Sequence, residues 1–275
     1  MNFYQKLHFL HRAWRYRMRT EKRSIHYLLS KPLSGSLVLD IGANRGIWSY
    51  WLHRKVGPTG WVIAFEPQQE LVAELLDLRR SFCLNNLEIV PCAASSAMGE
   101  ATLLRPRFHW GGAKLIGQLN DDYQSCVGDL VAKGISLASR TSERAEQSDI
   151  SAQDMEYLTA NLVTLDGYLA GHPRRPVAFI KCDVEGHELE VFKGGESILQ
   201  EDRPDLLFEC HVMSDPQCEV LKYLEELGYV GYCFAPGSLR PIAEYAKWRP
   251  KLKKDELINF IFLPREKSTL AKKAA

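Results

Sequence analysis

Short apolar runs alternate with amphipathic stretches along most of this chain, and few folds accommodate that order. Apolar runs stand at 36–41, 61–65, 87–92, 176–182 and 205–210, with a short further one at 100–104. Between them lie segments with helical character: residues 47–55, 68–80 (leucines 71, 75 and 78 share one face), 188–199 and 215–227. Pro67 suits the first turn of the second of these helices. Strands that alternate with helices predict parallel pairing, because a parallel return needs a long crossover. The expected class is α/β, a doubly wound Rossmann-like sheet that is mostly parallel. Its crossovers should be right-handed, and its ligands should sit at the carboxyl ends of the strands. The runs at 229–234 and 257–263 have no clear helix between them, which predicts an antiparallel edge pair.

The first run ends in Val38-Leu39-Asp40-Ile41-Gly42-Ala43-Asn44-Arg45-Gly46, and the second ends in Phe65-Glu66-Pro67. Glycines let a backbone turn tightly and approach a ligand closely. An acid at the next strand end can accept both hydroxyls of a ribose. Together they describe a nucleoside site, and two cofactor classes use one. A dinucleotide site wants G-x-G-x-x-G, where the middle glycine admits a pyrophosphate. Asn44 stands at that position and would crowd it. A D-x-G-x-x-x-G loop suits S-adenosylmethionine, which carries a sulfonium and an amino acid in place of phosphates. Asp40 would then lie near the amino group. The rival readings are an NAD-dependent oxidoreductase and a non-catalytic nucleoside-binding protein. A bare strand-to-helix turn is the plainest alternative for the loop alone.

A resemblance is carried by three segments. They are residues 38–51, the run Val62-Ile63-Ala64-Phe65-Glu66-Pro67, and Phe179-Ile180-Lys181-Cys182-Asp183-Val184-Glu185-Gly186-His187-Glu188. Residues 87–102 and Leu206-Leu207-Phe208-Glu209-Cys210-His211 fit the same order. The chain resembles the FkbM-type methyltransferases over about residues 36–263. The resemblance implies a class I methyltransferase sheet, S-adenosylmethionine as methyl donor, and O-methylation of a sugar, glycan, glycolipid or secondary-metabolite hydroxyl. Carried over by position, Asp40, Gly42, Asn44 and Gly46 form the cofactor loop, and Glu66 holds the ribose. Cys92 and Ala93 lie near the adenine, and Asp183 faces donor and acceptor. Cys182 stands where an aliphatic residue is more usual, and the polar region 105–161 is longer than the family leads one to expect.

Methyl transfer to oxygen needs alignment of acceptor oxygen, methyl and sulfur, and a group to take the acceptor's proton. Asp183, Glu185 and Glu209 are the candidate catalytic acids, and Glu185 reads equally as a helix cap. Strand alternation would point Asp183 and Glu185 to one side. Glu188 reads as structural, on a helix's first turn where the dipole favours a carboxylate. His187 reads as a capping or solvated histidine. Glu209 and His211 would come near Asp183 on the adjacent strand. No metal is assigned, since charged partners or acceptor hydroxyls explain the cluster. Residues 107–115, aromatic and basic around two glycines, suit a lid over the acceptor or an ordinary surface loop.

Charge is unevenly placed. Lys and Arg total 35 against 34 acids, yet residues 1–31 hold eight Lys/Arg and one acid. That segment is therefore +7 and the remainder −6. The expected organisation is a basic helical arm over 1–35, a methyltransferase domain over 36–264 with an insert or lid at 105–161, and a basic tail at 265–275. In the arm Leu7, Leu10 and Trp14 recur at helical spacing, with Phe3 one turn earlier. The favoured reading packs the arm on the body or on a second subunit of a homodimer. Peripheral contact with an anionic membrane surface comes next, and nucleic acid is the least favoured partner. Seven cysteines without a CxxC pair read as reduced, buried thiols of a cytoplasmic protein.

Overall fold

The computed structural model describes residues 1–107, 113–116, 155–209, 219–235, 238–244 and 259–271. The arm forms α1 (Phe3–Arg15), a π-helical turn (Tyr16–Thr20) and α2 (Lys22–Ser30). The body opens with β1 (Leu37–Ile41), α3 (Ile47–Val56), β2 (Trp61–Phe65), α4 (Gln69–Ser81) and β3 (Leu87–Val90). Next come β4 (Ala93–Ala94), β5 (Gly99–Pro106), β6 (Lys114–Ile116), β7 (Met155–Val163) and α5 (Leu165–Ala170). Then follow β8 (Val177–Cys182), α6 (Glu188–Lys193), α7 (Glu196–Glu201), β9 (Asp205–Glu209) and α8 (Glu219–Glu226). The last elements are β10 (Tyr229–Ala235), β11 (Ser238–Pro241), β12 (Asn259–Pro264) and α9 (Arg265–Ala271).

Eight strands form the main sheet in the order β11-β10-β12-β9-β8-β1-β2-β3. The five strands from β9 to β3 are parallel, and β10 and β12 form the expected antiparallel pair near one edge. Alternation along each strand serves two layers of helices. Val38, Val62, Phe179 and Leu207 face the side covered by α3, α4 and the arm. Leu39, Ile63, Ile180 and Phe208 face the side covered by α6, α7 and α8. Strands buried on both faces explain why they read as unbroken apolar runs.

Four details depart from the sequence reading. The expected insert at 105–161 is shorter, because β5 reaches Pro106 and β7 begins at Met155; the two pair along their length in a second sheet, β4-β7-β5-β6. The stretch read as loop because it is charged. Arg105 is in fact 3% exposed and donates to Gln68, Glu70 and Glu156. The expected helix over 188–199 is two helices, broken at Gly194-Gly195. A Cβ at Gly194 would stand 1.9 Å from the Ser95 carbonyl oxygen, so the break lets the two segments touch. Pro67 precedes α4 instead of lying in its first turn, since Gln68 is held by Glu66 ahead of the helix. Cys83 is exposed, contrary to the expectation for the thiols, whereas Cys182 and Cys233 are buried.

The arm lies on the body. Phe9, Ala13, Ile25 and Leu28 are buried in the core on the α3 side, and the Trp51 indole donates to the Ala13 carbonyl at 3.1 Å. Fully burying a side chain such as Ile25 or Leu28 is worth about 1.5–3 kcal/mol. Of the stripe that helical spacing picked out, Leu10 is half-buried against the core, and the other members lie toward the outer face of α1. Phe3, Leu7 and Trp14 are exposed at 74%, 56% and 49%. Among the described residues, no helix is long and apolar enough to cross a membrane.

Candidate active site

A cleft of about 670 Å³, open to solvent, lies at the carboxyl ends of β1, β2 and β8. Its floor is the turn after β1. The Gly42 and Ala43 N–H groups both donate to the Phe65 carbonyl at 3.0 Å, which ties the turn to β2. Gly42 has φ +76°, and a Cβ there would stand 2.0 Å from the Asp183 carbonyl oxygen. Only glycine satisfies both demands. Asn44 takes φ +49°, which turns its N–H onto Glu66 Oε2 at 2.8 Å. Glu66 Oε1 accepts from the Gln68 N–H at 3.0 Å. The carboxylate of Glu66 is thus fixed at both oxygens and lines the cleft. Burial pushes its pKa up to about 7, although the two backbone hydrogen bonds pull the other way.

Two expected members of the cofactor loop lie beneath the cleft, not on its wall. Gly46 faces α4: a Cβ there would stand 2.5 Å from Leu78 Cδ2 and 2.8 Å from Leu75 Cδ2. Asp40 is 1% exposed and accepts from the Ser49 hydroxyl at 2.5 Å. Its burial pushes its pKa up to about 6. Strand alternation explains this, because Asp40 shares the inward α3 face with Val38. Glu66, Gln68, Asn44, Gly42, Cys92 and Ala93 do line the cleft.

The acids after β8 separate into different tasks. Asp183 lines the cleft, and Lys181 Nζ lies 3.3 Å from Asp183 Oδ2. Lys181 is 1% exposed. Burial alone would lower its pKa, but Asp183, Glu21, Glu209 and Asp40 outweigh that and raise it, so the ammonium stays charged. Glu185 does not follow strand alternation with Asp183. It sits at φ +55° and Gly186 at φ +102°, so the chain has already turned there. It still lines the cleft. Glu188 is buried and receives the N–H groups of Gly186 and Val184 at 3.2 and 3.4 Å, the structural role expected of it. His187 Nε2 meets the Ser95 hydroxyl at 3.0 Å, and burial lowers its pKa. Glu209 is half-buried at the end of β9 and adds to the field on Lys181, but it does not line the cleft. His211 and residues 108–112 lie outside the described residues.

Sequence reasoning passed over Lys181 as a site residue. The signal was available: a lysine inside a buried parallel strand needs a counter-charge at hand. It also passed over Leu103, which with Cys92, Ala93, Ala113 and Leu115 makes an apolar wall. The segment expected as an acceptor lid therefore contributes Ala113 and Leu115 to the side of the cleft where Cys92 and Ala93 stand. Such a wall suits a flat, weakly polar base.

The donor set discriminates between cofactors. The cleft presents Glu66, Asp183 and Glu185, and among the described residues no lysine or arginine lines it. Three carboxylates suit hydroxyls, an amino group and a sulfonium, and they repel a pyrophosphate. A larger cleft of about 1480 Å³ lies at the other end of the sheet. Its polar groups are already matched: Glu88 with Trp61, Tyr168 and His172, Asp166 with the N–H groups of Ser197 and Ile198, and Asp202 with Arg174. Among the described residues, no three His, Cys, Asp or Glu side chains are grouped to hold a metal.

The family description "Methyltransferase FkbM domain" matches residues 40–230. The chain belongs to the FkbM methyltransferase family. It is, by that membership, an S-adenosylmethionine-dependent methyltransferase, and the oxidoreductase alternative is set aside. This FkbM methyltransferase is 26% identical over 210 residues to the methyltransferase sdnD of Sordaria araneosa, covering 74% of this chain and 77% of that one. It is similar in structure to the methyltransferase FkbM from Methylobacillus flagellatus (14% identity, TM-score 0.49), covering 85% of this chain and 45% of the other. A further similar structure is Aeropyrum pernix fibrillarin with bound S-adenosyl-L-methionine (12% identity, TM-score 0.43), covering 88% and 74% of the two chains.

Proposed function

We propose that this FkbM methyltransferase binds S-adenosylmethionine in the cleft over Gly42 and transfers its methyl group to a hydroxyl of a sugar, glycan, glycolipid or secondary-metabolite acceptor. The observation that carries the reading is Glu66, held at both oxygens by backbone N–H groups and facing a cleft that, among the described residues, no lysine or arginine lines. A carboxylate so fixed keeps lone pairs for two vicinal hydroxyls and loses little entropy in using them. The bound cofactor supplies an activated methyl group on a sulfonium. The chain's own residues do the rest. Glu66 holds the ribose, the wall of Cys92, Ala93, Leu103 and Leu115 receives the base, and Asn44 and Gly42 shape the floor. Asp183, fixed by Lys181, orients the acceptor hydroxyl and takes its proton as the oxygen bonds to carbon. The relative sdnD, named as a methyltransferase, supports the class of reaction.

Calorimetric titration of the purified protein with S-adenosylhomocysteine and, separately, with NAD tests the cofactor. Binding of the first and not the second is expected, and the converse result overturns the reading. Formation of S-adenosylhomocysteine over a panel of hydroxyl-bearing glycans and metabolites then tests the transfer. Cofactor binding with no turnover on any acceptor would favour a binding protein over an enzyme.

A further inference from the structure

The arm has two apolar faces, and the body uses one of them. Phe9 and Ala13 are buried in the core. Phe3, Leu7, His11, Trp14 and Met18 follow one another at intervals of three or four residues, so they form a second row along α1 and into the π-helical turn. All five are exposed. Among the described residues of the whole chain, eight large apolar side chains are exposed, and Phe3, Tyr4, Leu7, Trp14 and Met18 are five of them. Such a concentration on one element marks a contact surface. The row is in place before anything binds it. Trp14 stands edge-on to Trp51 with ring centres 5.7 Å apart, and the Arg17 guanidinium stacks on both rings at 4.8 and 5.0 Å. The Phe3 and Tyr4 rings meet edge to face at 5.8 Å.

We propose that this second face of the arm docks on the surface of an anionic lipid bilayer. Phe3, Leu7, Trp14 and Met18 enter the headgroup boundary, and the basic side chains beside them meet lipid phosphates. Charge decides the occupant. Residues 1–31 hold eight Lys/Arg and one acid, Glu21. Glu21 is half-buried and accepts from the Trp48 indole at 3.1 Å. Arg19 and Lys22 are exposed just beyond Met18. A helix that carries an aromatic and aliphatic stripe flanked by Lys and Arg has the form of one that lies flat in a membrane interface. Tryptophan and tyrosine suit that boundary, because each has an apolar body and a polar end. A second copy of the chain is the poorer occupant, since a two-fold interface through this row sets one basic arm against another. A nucleic-acid backbone draws on the charge but gives Leu7 and Met18 nothing to enter. The contact is interfacial: among the described residues no helix is long and apolar enough to cross a membrane. The remainder of the chain, at −6, is repelled by the same surface, which orients the molecule with its arm toward the lipid. The proposal does not depend on the reading of the cleft.

The full chain is co-sedimented with vesicles of phosphatidylcholine alone and with vesicles that also contain phosphatidylglycerol. Pelleting with the anionic vesicles, little with the neutral ones, and release by added salt are expected. The Phe3→Gln/Leu7→Gln double variant should bind the anionic vesicles about tenfold or more weakly. Arg19→Gln/Lys22→Gln should weaken binding about fivefold for each charge removed. Met98→Gln/Lys222→Gln, which alters an exposed apolar group and an exposed charge outside the arm, should bind as the wild type does. All these side chains are exposed, so the urea midpoint, measured on every variant, should not move. Trp14 is left in place because it also packs on Trp51. Three results overturn the proposal: no pelleting of the wild type with anionic vesicles, equal pelleting with neutral ones, or unchanged pelleting of the folded Phe3→Gln/Leu7→Gln variant. Light scattering and a duplex DNA titration cover the other occupants. A wild-type dimer that the Phe3→Gln/Leu7→Gln variant dissolves assigns the row to a second copy. DNA binding tighter than vesicle binding, and indifferent to Phe3 and Leu7, assigns the arm to nucleic acid. Either result also overturns the proposal.

Discussion

Replacing Glu66 by glutamine tests the cofactor site most directly. The native carboxylate accepts the Asn44 and Gln68 N–H groups at 2.8 and 3.0 Å and has lone pairs left for a ribose. Glutamine has one acceptor oxygen, so it cannot keep both backbone bonds and also receive both hydroxyls. Losing one charge-assisted bond costs about 1.5–3 kcal/mol, which weakens S-adenosylhomocysteine binding by roughly 10- to 150-fold. The pH dependence is more telling. Ribose hydroxyls donate to the ionised carboxylate, and burial has pushed Glu66 up to about 7. Between about pH 6 and about pH 8 the ionised fraction rises about tenfold, so wild-type affinity should rise by a similar factor. Stability runs the opposite way. The folded pKa lies above the ordinary 4.5, so the contribution of Glu66 to stability is full below that value and is lost as pH rises through about 7. Isothermal titration at the two pH values measures the first effect and urea denaturation the second. A wild-type affinity that is flat in pH, or a slope that survives in Glu66→Gln, would refute the assignment of the ribose to Glu66.

Three further outcomes follow from the same geometry. Asp183→Asn should reduce methyl transfer about 10²- to 10⁴-fold while S-adenosylhomocysteine affinity, read by calorimetry, stays within about threefold. Lys181→Met leaves the carboxylates of Asp40 and Asp183 without their buried counter-charge and should cost about 3–5 kcal/mol in urea denaturation; a loss under about 1 kcal/mol would show that the ion pair is dispensable. Gly42→Ala must push a Cβ to within 2.0 Å of the Asp183 carbonyl and hold φ at +76°, so cofactor binding should fall below detection in a chain whose circular dichroism still reports strands and helices.

Patterns with a local cause were legible in the chain. The period of the apolar runs located the parallel strands, because a strand buried on both faces must be apolar throughout. The turn at Gly42, the acid at Glu66 and the structural Glu188 could be placed because their neighbours in sequence are also their neighbours in space. Where partners come from afar the reading failed. Arg105 looked like loop until Glu70 and Glu156 neutralised it, and the helix after β8 looked continuous until Ser95 pressed against Gly194.

The sequence by itself determined the α/β class, the family motifs and the presence of a strongly basic arm on an acidic body. Tertiary structure alone decided which face of that arm is buried and which faces out. Phe3, Leu7 and Trp14 form as good an apolar stripe as Phe9 and Ala13, and helical spacing cannot rank them. Only the shape of α3 and its Trp51 indole chose the second set. The same docking brought Glu21 to the indole of Trp48, whose ring covers Lys181, 160 positions from Glu21 in the chain. Contacts of that separation depend on how whole elements pack, and no local pattern encodes them.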